Sequence, residues 1–130
     1  MRKEAELWIK DSDYDLATAI DLLEKKRYNY AVFLARQSVE KLLKAAHLVV
    51  LQKEIPREHN LVGLGKSCFK DVPIDIMEDL VYLNPHYTIT RYVDASLGTP
   101  SDIYDETSAK EAIEKARKVR EWIKKSLFQK

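Results

Sequence analysis

The sequence predicts an all-α protein, an antiparallel up-and-down bundle of about five helices around a four-helix core. Three observations carry that expectation. Small and apolar residues recur at steps of three and four over four long segments and a shorter one, no stretch alternates with the period of two that a strand requires, and the chain holds only three Gly. Isolated helices of this length are marginal in water, so their apolar faces must be buried against one another. At 130 residues the chain is long enough for one such core and short for two, so residues 1–130 read as a single helical domain.

The first segment, roughly Lys3 to Lys25, gathers Trp8, Ser12, Leu16, Ala19, Ile20 and Leu23 on one face and leaves Asp11, Asp15 and Asp21 off it. The polar run Glu24 to Asn29 has the length of a link between antiparallel neighbours, and Asn29 is a suitable N-cap for the next helix. That second helix runs to about Gln52, with Ala31, Leu34, Ala35, Ser38, Leu42, Ala45 and Val49 as its stripe. Its small residues let a neighbouring helix approach closely. Pro56 breaks the pattern, and a short third helix follows with Leu61, Leu64 and Cys68 inward and His59 or Asn60 at its start. A fourth helix runs through Ile76, Leu80 and Leu83 and weakens at Asn84 and Pro85. From His86 to Asp105 no periodicity is visible, and irregular stretches of that length are often functional. The last helix is predicted to start at Ser108 as N-cap with Glu111 as reciprocal partner, and it carries Ala112, Ala116, Val119, Ile123 and Leu127 inward.

Lys and Arg nearly balance Asp and Glu, giving a formal net charge of +1, so no global field draws the protein onto nucleic acid or an anionic membrane. Any anion site must be local. Cys68 is the only cysteine and has no His or Cys at ligand spacing, so neither a disulfide, a metal nor a cofactor is expected, and a buried thiol is its simplest role. The charged opening and the lack of any run of about 18 apolar residues predict a soluble, cytoplasmic protein with no membrane association.

One polar face can carry chemistry. In "YAVFLARQSVEKLLKAAH", Arg36, Gln37, Lys41 and Lys44 lie off the apolar stripe, with Arg36, Glu40 and Lys44 at contact spacing. Two readings stand: a cationic seam that grips phosphates, or a wetted face whose charges pair with Glu40. Tyr87, Arg91, Tyr92 and Asp94 in the irregular stretch likewise read either as a ring and a guanidinium offered to a base, or as anchors in which Arg91 and Asp94 pair. Trp8 and Trp122 sit on apolar stripes and read as packing anchors, and the charge run Lys110 to Lys125 as a solvated face.

These residues carry a family resemblance. "AVFLARQSVEKLLKA" resembles the second-helix signature of the HEPN domains, and the likeness continues through Trp8 with Asp15 and Leu16, "HNL" at His59 to Leu61, "TRYVD" at Thr90 to Asp94, Tyr104 and Trp122. It spans nearly the whole chain in order and points to the minimal, stand-alone prokaryotic type. Arg36 stands where the family usually has Gln, Asn60 where Asp is common, and Val93 where "RYPD" places Pro.

The resemblance implies a bundle of about five helices, a homodimer, and a small nucleotidyltransferase partner in a two-component, toxin-antitoxin-like pair. It also implies a nucleotide or RNA ligand. The family's ribonucleases carry an Arg followed after four to six residues by a His, and no Arg here has one. The expectation is therefore a noncatalytic nucleotide- or anion-binding or partner-docking module, with Arg36, Gln37, Lys41, Lys44, His59, Tyr87, Arg91 and Tyr92 as candidate ligand residues and Trp8, Asp94, Tyr104 and Trp122 as structural anchors. A ribonuclease using a substitute pair such as Arg36 with His59 or His47, and a purely structural interaction subunit, are the alternatives.

Overall fold

The computed structural model describes residues 2–128 and is all-helical over that range. Helix α1 is Lys3–Glu24, α2 is Tyr28–Ala46 and continues through a π-helical turn at His47–Leu51, α3 is Leu61–Cys68, α4 is Ile74–Leu83, and α7 is Glu106–Phe128. Between the last two lie single-turn helices, α5 at Val93–Ser96 and α6 at Pro100–Ile103. Four residues complete barely one turn, too few to show a period, which is why this stretch reads as irregular in sequence.

Helix α1 ends in a Schellman motif: Arg27 N–H donates to Leu22 O and Lys26 N–H to Leu23 O. Lys26 occupies the left-handed position, at φ 62°, where glycine is usual. The turn reverses the chain, so α2 runs antiparallel to α1, with Trp8 beside Lys44 and Asp15 beside Lys41. Asn29 is not the N-cap of α2. It lies inside the first turn, buried, and its Nδ2 donates to Thr90 O at 3.0 Å, pinning the otherwise irregular segment.

Helix α2 is the central element. Ala31, Val32, Ala35, Val39, Leu42, Leu43 and Ala46 are buried on it and meet Leu16 and Ala19 of α1 and Ala109, Ala112, Ala116, Val119 and Ile123 of α7 in one core. Burying each large aliphatic side chain contributes about 1.5–3 kcal/mol. Asn60 caps α3 as expected, its Oδ1 accepting from Gly63 N–H at 2.9 Å, and Asn84 Oδ1 takes a second free donor, Leu61 N–H, at 2.8 Å. Cys68 is buried as expected.

Helix α7 is capped one register earlier than the sequence suggests. Asp105 Oδ1 accepts from Ser108 N–H at 2.8 Å while Ser108 Oγ accepts from Asp105 N–H at 2.9 Å, so Ser108 is the inner member of the box. Glu111 instead accepts from the Tyr82 hydroxyl on α4. Nor is the Lys110 to Lys125 run merely solvated. Arg120 is buried and donates through Nε to Ser12 Oγ at 3.1 Å and through Nη2 to Asp13, and Lys124 joins Asp13 at 2.8 Å. Ser12 passes the link on, donating to Ser38 O, so one hydroxyl ties α1, α2 and α7. Lys115 and Lys118 pair with buried Asp79 of α4, which runs antiparallel to α7. Among the described residues no helix is long and apolar enough to cross a membrane.

Candidate functional site

The polar face of α2 is not wetted. Arg36, which the sequence places on an open face, is only 1% exposed, and Glu40 only 3%. Residues from three parts of the chain take four of the five Arg36 N–H donors: Nε donates to Asn84 O at 3.1 Å, Nη1 to Gln37 Oε1 and Glu40 Oε1 at 2.8 Å each, and Nη2 to His59 O. Arg36 therefore fastens the end of α4 and the entry to α3 onto α2. Burial works against its charge, and Glu40 supports it; the net effect is a guanidinium less basic than usual.

Glu40 is the hub; pattern reading paired it with its helix neighbours but on a wetted face, because an i,i+4 pair looks like surface decoration. Its carboxylate accepts from Arg36 Nη1 at 2.8 Å and Lys44 Nζ at 3.0 Å, and it meets His59 Nδ1 at 2.9 Å. Burial alone would raise its pKa, but the hydrogen bonds from Arg36, His59 and Lys44 outweigh that and hold it below the ordinary Glu value. A carboxylate at Nδ1 fixes the His59 ring, and Nε2 lies 3.5 Å from the Tyr87 hydroxyl. The His59 side chain is half exposed and stacks on Tyr87, ring centroids 4.6 Å apart and planes 19° apart.

Tyr87 is the aromatic centre of the cluster. The guanidinium carbons of Arg36 and Arg91 lie 4.9 and 4.8 Å from its ring centroid. Arg91 also sits 4.3 Å from Phe33 and 5.1 Å from Tyr92, so one guanidinium is framed by three rings. Its Nε donates to Tyr87 O at 2.9 Å, and among the described residues its Nη groups have no hydrogen-bond partner. Tyr92 is exposed. Phe33, absent from the expected set, is legible only as an apolar residue beside the α2 stripe.

The expected four-cation surface of Arg36, Lys41, Lys44 and Arg91 is divided. Lys41 turns to α1, where it meets Asp11 at 2.6 Å and Asp15 at 2.8 Å. Asp15, expected off the buried face, is buried there, and burial raises its pKa despite Lys41. Lys44 is neutralised by Glu40 and lies 5.7 Å from the Trp8 ring. Gln37 serves Arg36. What the structure gathers is His59, Tyr87, Arg91 and Tyr92 over the Arg36–Glu40–Lys44 base.

The anchors separate similarly. Tyr104 is buried, its hydroxyl 2.6 Å from His86 Nδ1, and burial pushes its pKa up to about 12. Burial lowers the His86 pKa, with Arg36 adding to the effect, so the pair is kept neutral. Trp122 packs edge-on against Phe69, and Trp8 is half-buried at the flank of α1. Asp94 is exposed in the first turn of α5, and among the described residues it makes no ion pair with Arg91. His47 is buried in the π turn some three helical turns beyond Arg36, about 16 Å along the axis, and is not brought to the site.

A helical bundle with a buried Arg–Glu–Lys base beneath a partly exposed His–Tyr–Arg cluster defines the class of protein as an all-helical domain. Comparison with known proteins gives the family. The family model described as HEPN domain matches residues 5–127, and the chain belongs to the HEPN family. It is 29% identical to a protein of Methanocaldococcus jannaschii named "Putative toxin MJ1304", over 98% of this chain and 91% of that protein. Among solved structures it is similar to TT1696 from Thermus thermophilus, with 29% identity, TM-score 0.89 and coverage of 97% of this chain and 100% of that one. It is similar also to ST0689, described as an archaeal HEPN homologue, with 30% identity, TM-score 0.81 and coverage of 98% and 99%.

Proposed function

We propose that this chain is a noncatalytic HEPN recognition module that binds a nucleotide or single-stranded RNA on the His59–Tyr87–Arg91–Tyr92 surface. In this reading it forms a homodimer in the cytoplasm and works beside a small nucleotidyltransferase in a toxin-antitoxin-like pair. The observation that carries the ligand half is Arg91: a guanidinium framed by Phe33, Tyr87 and Tyr92 whose Nη groups are uncommitted. A phosphate can take the free fork, and the exposed Tyr92 ring can stack a base. The toxin name of the M. jannaschii relative supports the two-component half.

Calorimetric titration with ATP, GTP and a short single-stranded RNA tests the ligand half. Arg91→Ala with Tyr92→Ala should weaken binding by about 1.5–3 kcal/mol, since a hydrogen bond to a charged group is lost. Absence of binding to all three ligands refutes it. Co-purification of the two gene products tests the partner half.

One observation favours a second reading, a metal-independent ribonuclease. Arg36 and His59 share the Glu40 carboxylate, and a histidine oriented by a buried carboxylate is the arrangement of a general base. Cleavage of RNA in chelator, abolished by His59→Ala, would establish it and displace the noncatalytic reading.

A further inference from the structure

We propose that a second copy of this chain docks antiparallel along the outward face of α1, with Lys3 of each protomer opposite the partner's Asp21. This deepens the homodimer reading above and is independent of the ligand reading.

The remaining face of α1 is unpartnered and patterned. Lys3, Leu7, Lys10, Tyr14, Ala17 and Asp21 follow one another at steps of four and three, and all are exposed. Leu7 is 56% and Tyr14 69% exposed, large apolar side chains on the helix face opposite the buried Ala5, Ser12 and Ala19. A groove of about 470 Å³ runs here, lined only by residues of α1, among them Leu7, Trp8 and Tyr14. A groove formed by the ridges of one helix is the shape into which the ridges of another helix pack.

The charges identify the occupant. A twofold axis at the level of Ser12 lays this stripe on its own reversed copy. Lys3 then faces the partner's Asp21, Leu7 the partner's Ala17, and Lys10 the partner's Tyr14, whose ring can lie under the ammonium. Each contact occurs twice. Among the described residues Lys3, Lys10 and Asp21 have no ion-pair partner, so these charges are uncommitted. The acids that flank the axis are already neutralised, Asp11 by Lys41 and Asp13 by Arg120 and Lys124, so bringing the copies together adds little repulsion. From Lys3 to Asp21 the stripe extends ~27 Å, long enough for a helix-helix seam. Trp8 borders the groove and lies against Lys44, which bonds Glu40, so the seam adjoins the candidate site.

The test is sedimentation equilibrium of the full chain across a range of concentration, with helicity and nucleotide titration measured alongside. The expected result is a species of twice the 15.1 kDa chain mass. It should be lost in Leu7→Glu with Tyr14→Glu, two exposed positions whose change leaves helicity and any ligand binding in place. Lys3→Glu alone should weaken the dimer several-fold, and adding Asp21→Lys should restore it. Four outcomes overturn the proposal: a monomer at every concentration, a dimer indifferent to Leu7→Glu with Tyr14→Glu, a charge swap that fails to rescue, or the same variants losing only a purified nucleotidyltransferase. Absence of nucleotide binding in an unmodified chain that is dimeric strikes the ligand reading and leaves this one standing.

Discussion

Removing the Glu40 carboxylate is expected to cost more stability than any other single polar change in the chain. In Glu40→Ala the Arg36 guanidinium keeps its bonds to Asn84 O, Gln37 and His59 O but loses its counter-charge, and Lys44 loses its only ion-pair partner among the described residues. Both cations are buried, so neither is rescued by solvent. Breaking a buried pair by deleting one partner costs about 3–5 kcal/mol. Domains of this size have a total stability of about 5–15 kcal/mol, so the loss removes from about a fifth to all of it. Urea denaturation followed by circular dichroism at neutral pH measures the loss directly. Arg36→Met with Glu40→Leu is the informative companion: replacing both charges by apolar groups of similar volume should cost less than the sum of the single changes. A Glu40→Ala loss below about 1 kcal/mol, the worth of an exposed pair, would refute the claim that this cluster is a buried keystone.

Three further expectations follow from single features. Lys26→Gly should stabilise the protein by about 0.5–1 kcal/mol in the same assay, because a non-glycine residue at the left-handed Schellman position is strained. His86 has a depressed pKa in the fold, so its contribution is intact above the unfolded histidine value and is lost as pH falls through the folded one; Glu40, also depressed, adds a second loss below the ordinary Glu range. Melting temperature should therefore fall on acidification from about pH 6.5, and His86→Phe should remove the upper part of that fall. Cys68, buried with its pKa pushed up to about 11, should resist thiol reagents at pH 8 in the native protein and react at once in denaturant.

The bundle was legible because its information is local. The stripes on α1, α2 and α7 repeat every three or four residues, and the Asn60 cap needs only the three residues that follow it. The site was half legible: His59, Tyr87, Arg91 and Tyr92 were singled out, and they do converge. Periodicity assigns charged residues outward, so it misplaced Arg36 and left the Glu40 pairing on the surface. The Arg36 partners His59 O and Asn84 O lie 23 and 48 residues away, and no short-range pattern encodes a bond to a distant carbonyl. The shifted cap of α7 is a different failure: Asp105-x-x-Ser108 and Ser108-x-x-Glu111 both offer reciprocal capping, and the structure forms the first.

The Ser12 hydroxyl bears on how the protein is made. Its bond from Arg120 joins residues 108 positions apart, so α7 must leave the ribosome before that clasp can close. Until then the alanine-lined side of α2 faces water, as an uncovered seam on a nascent two-helix hairpin. A gene truncated ahead of Ser108 should therefore yield an aggregation-prone product, because α7 is the helix that covers the seam.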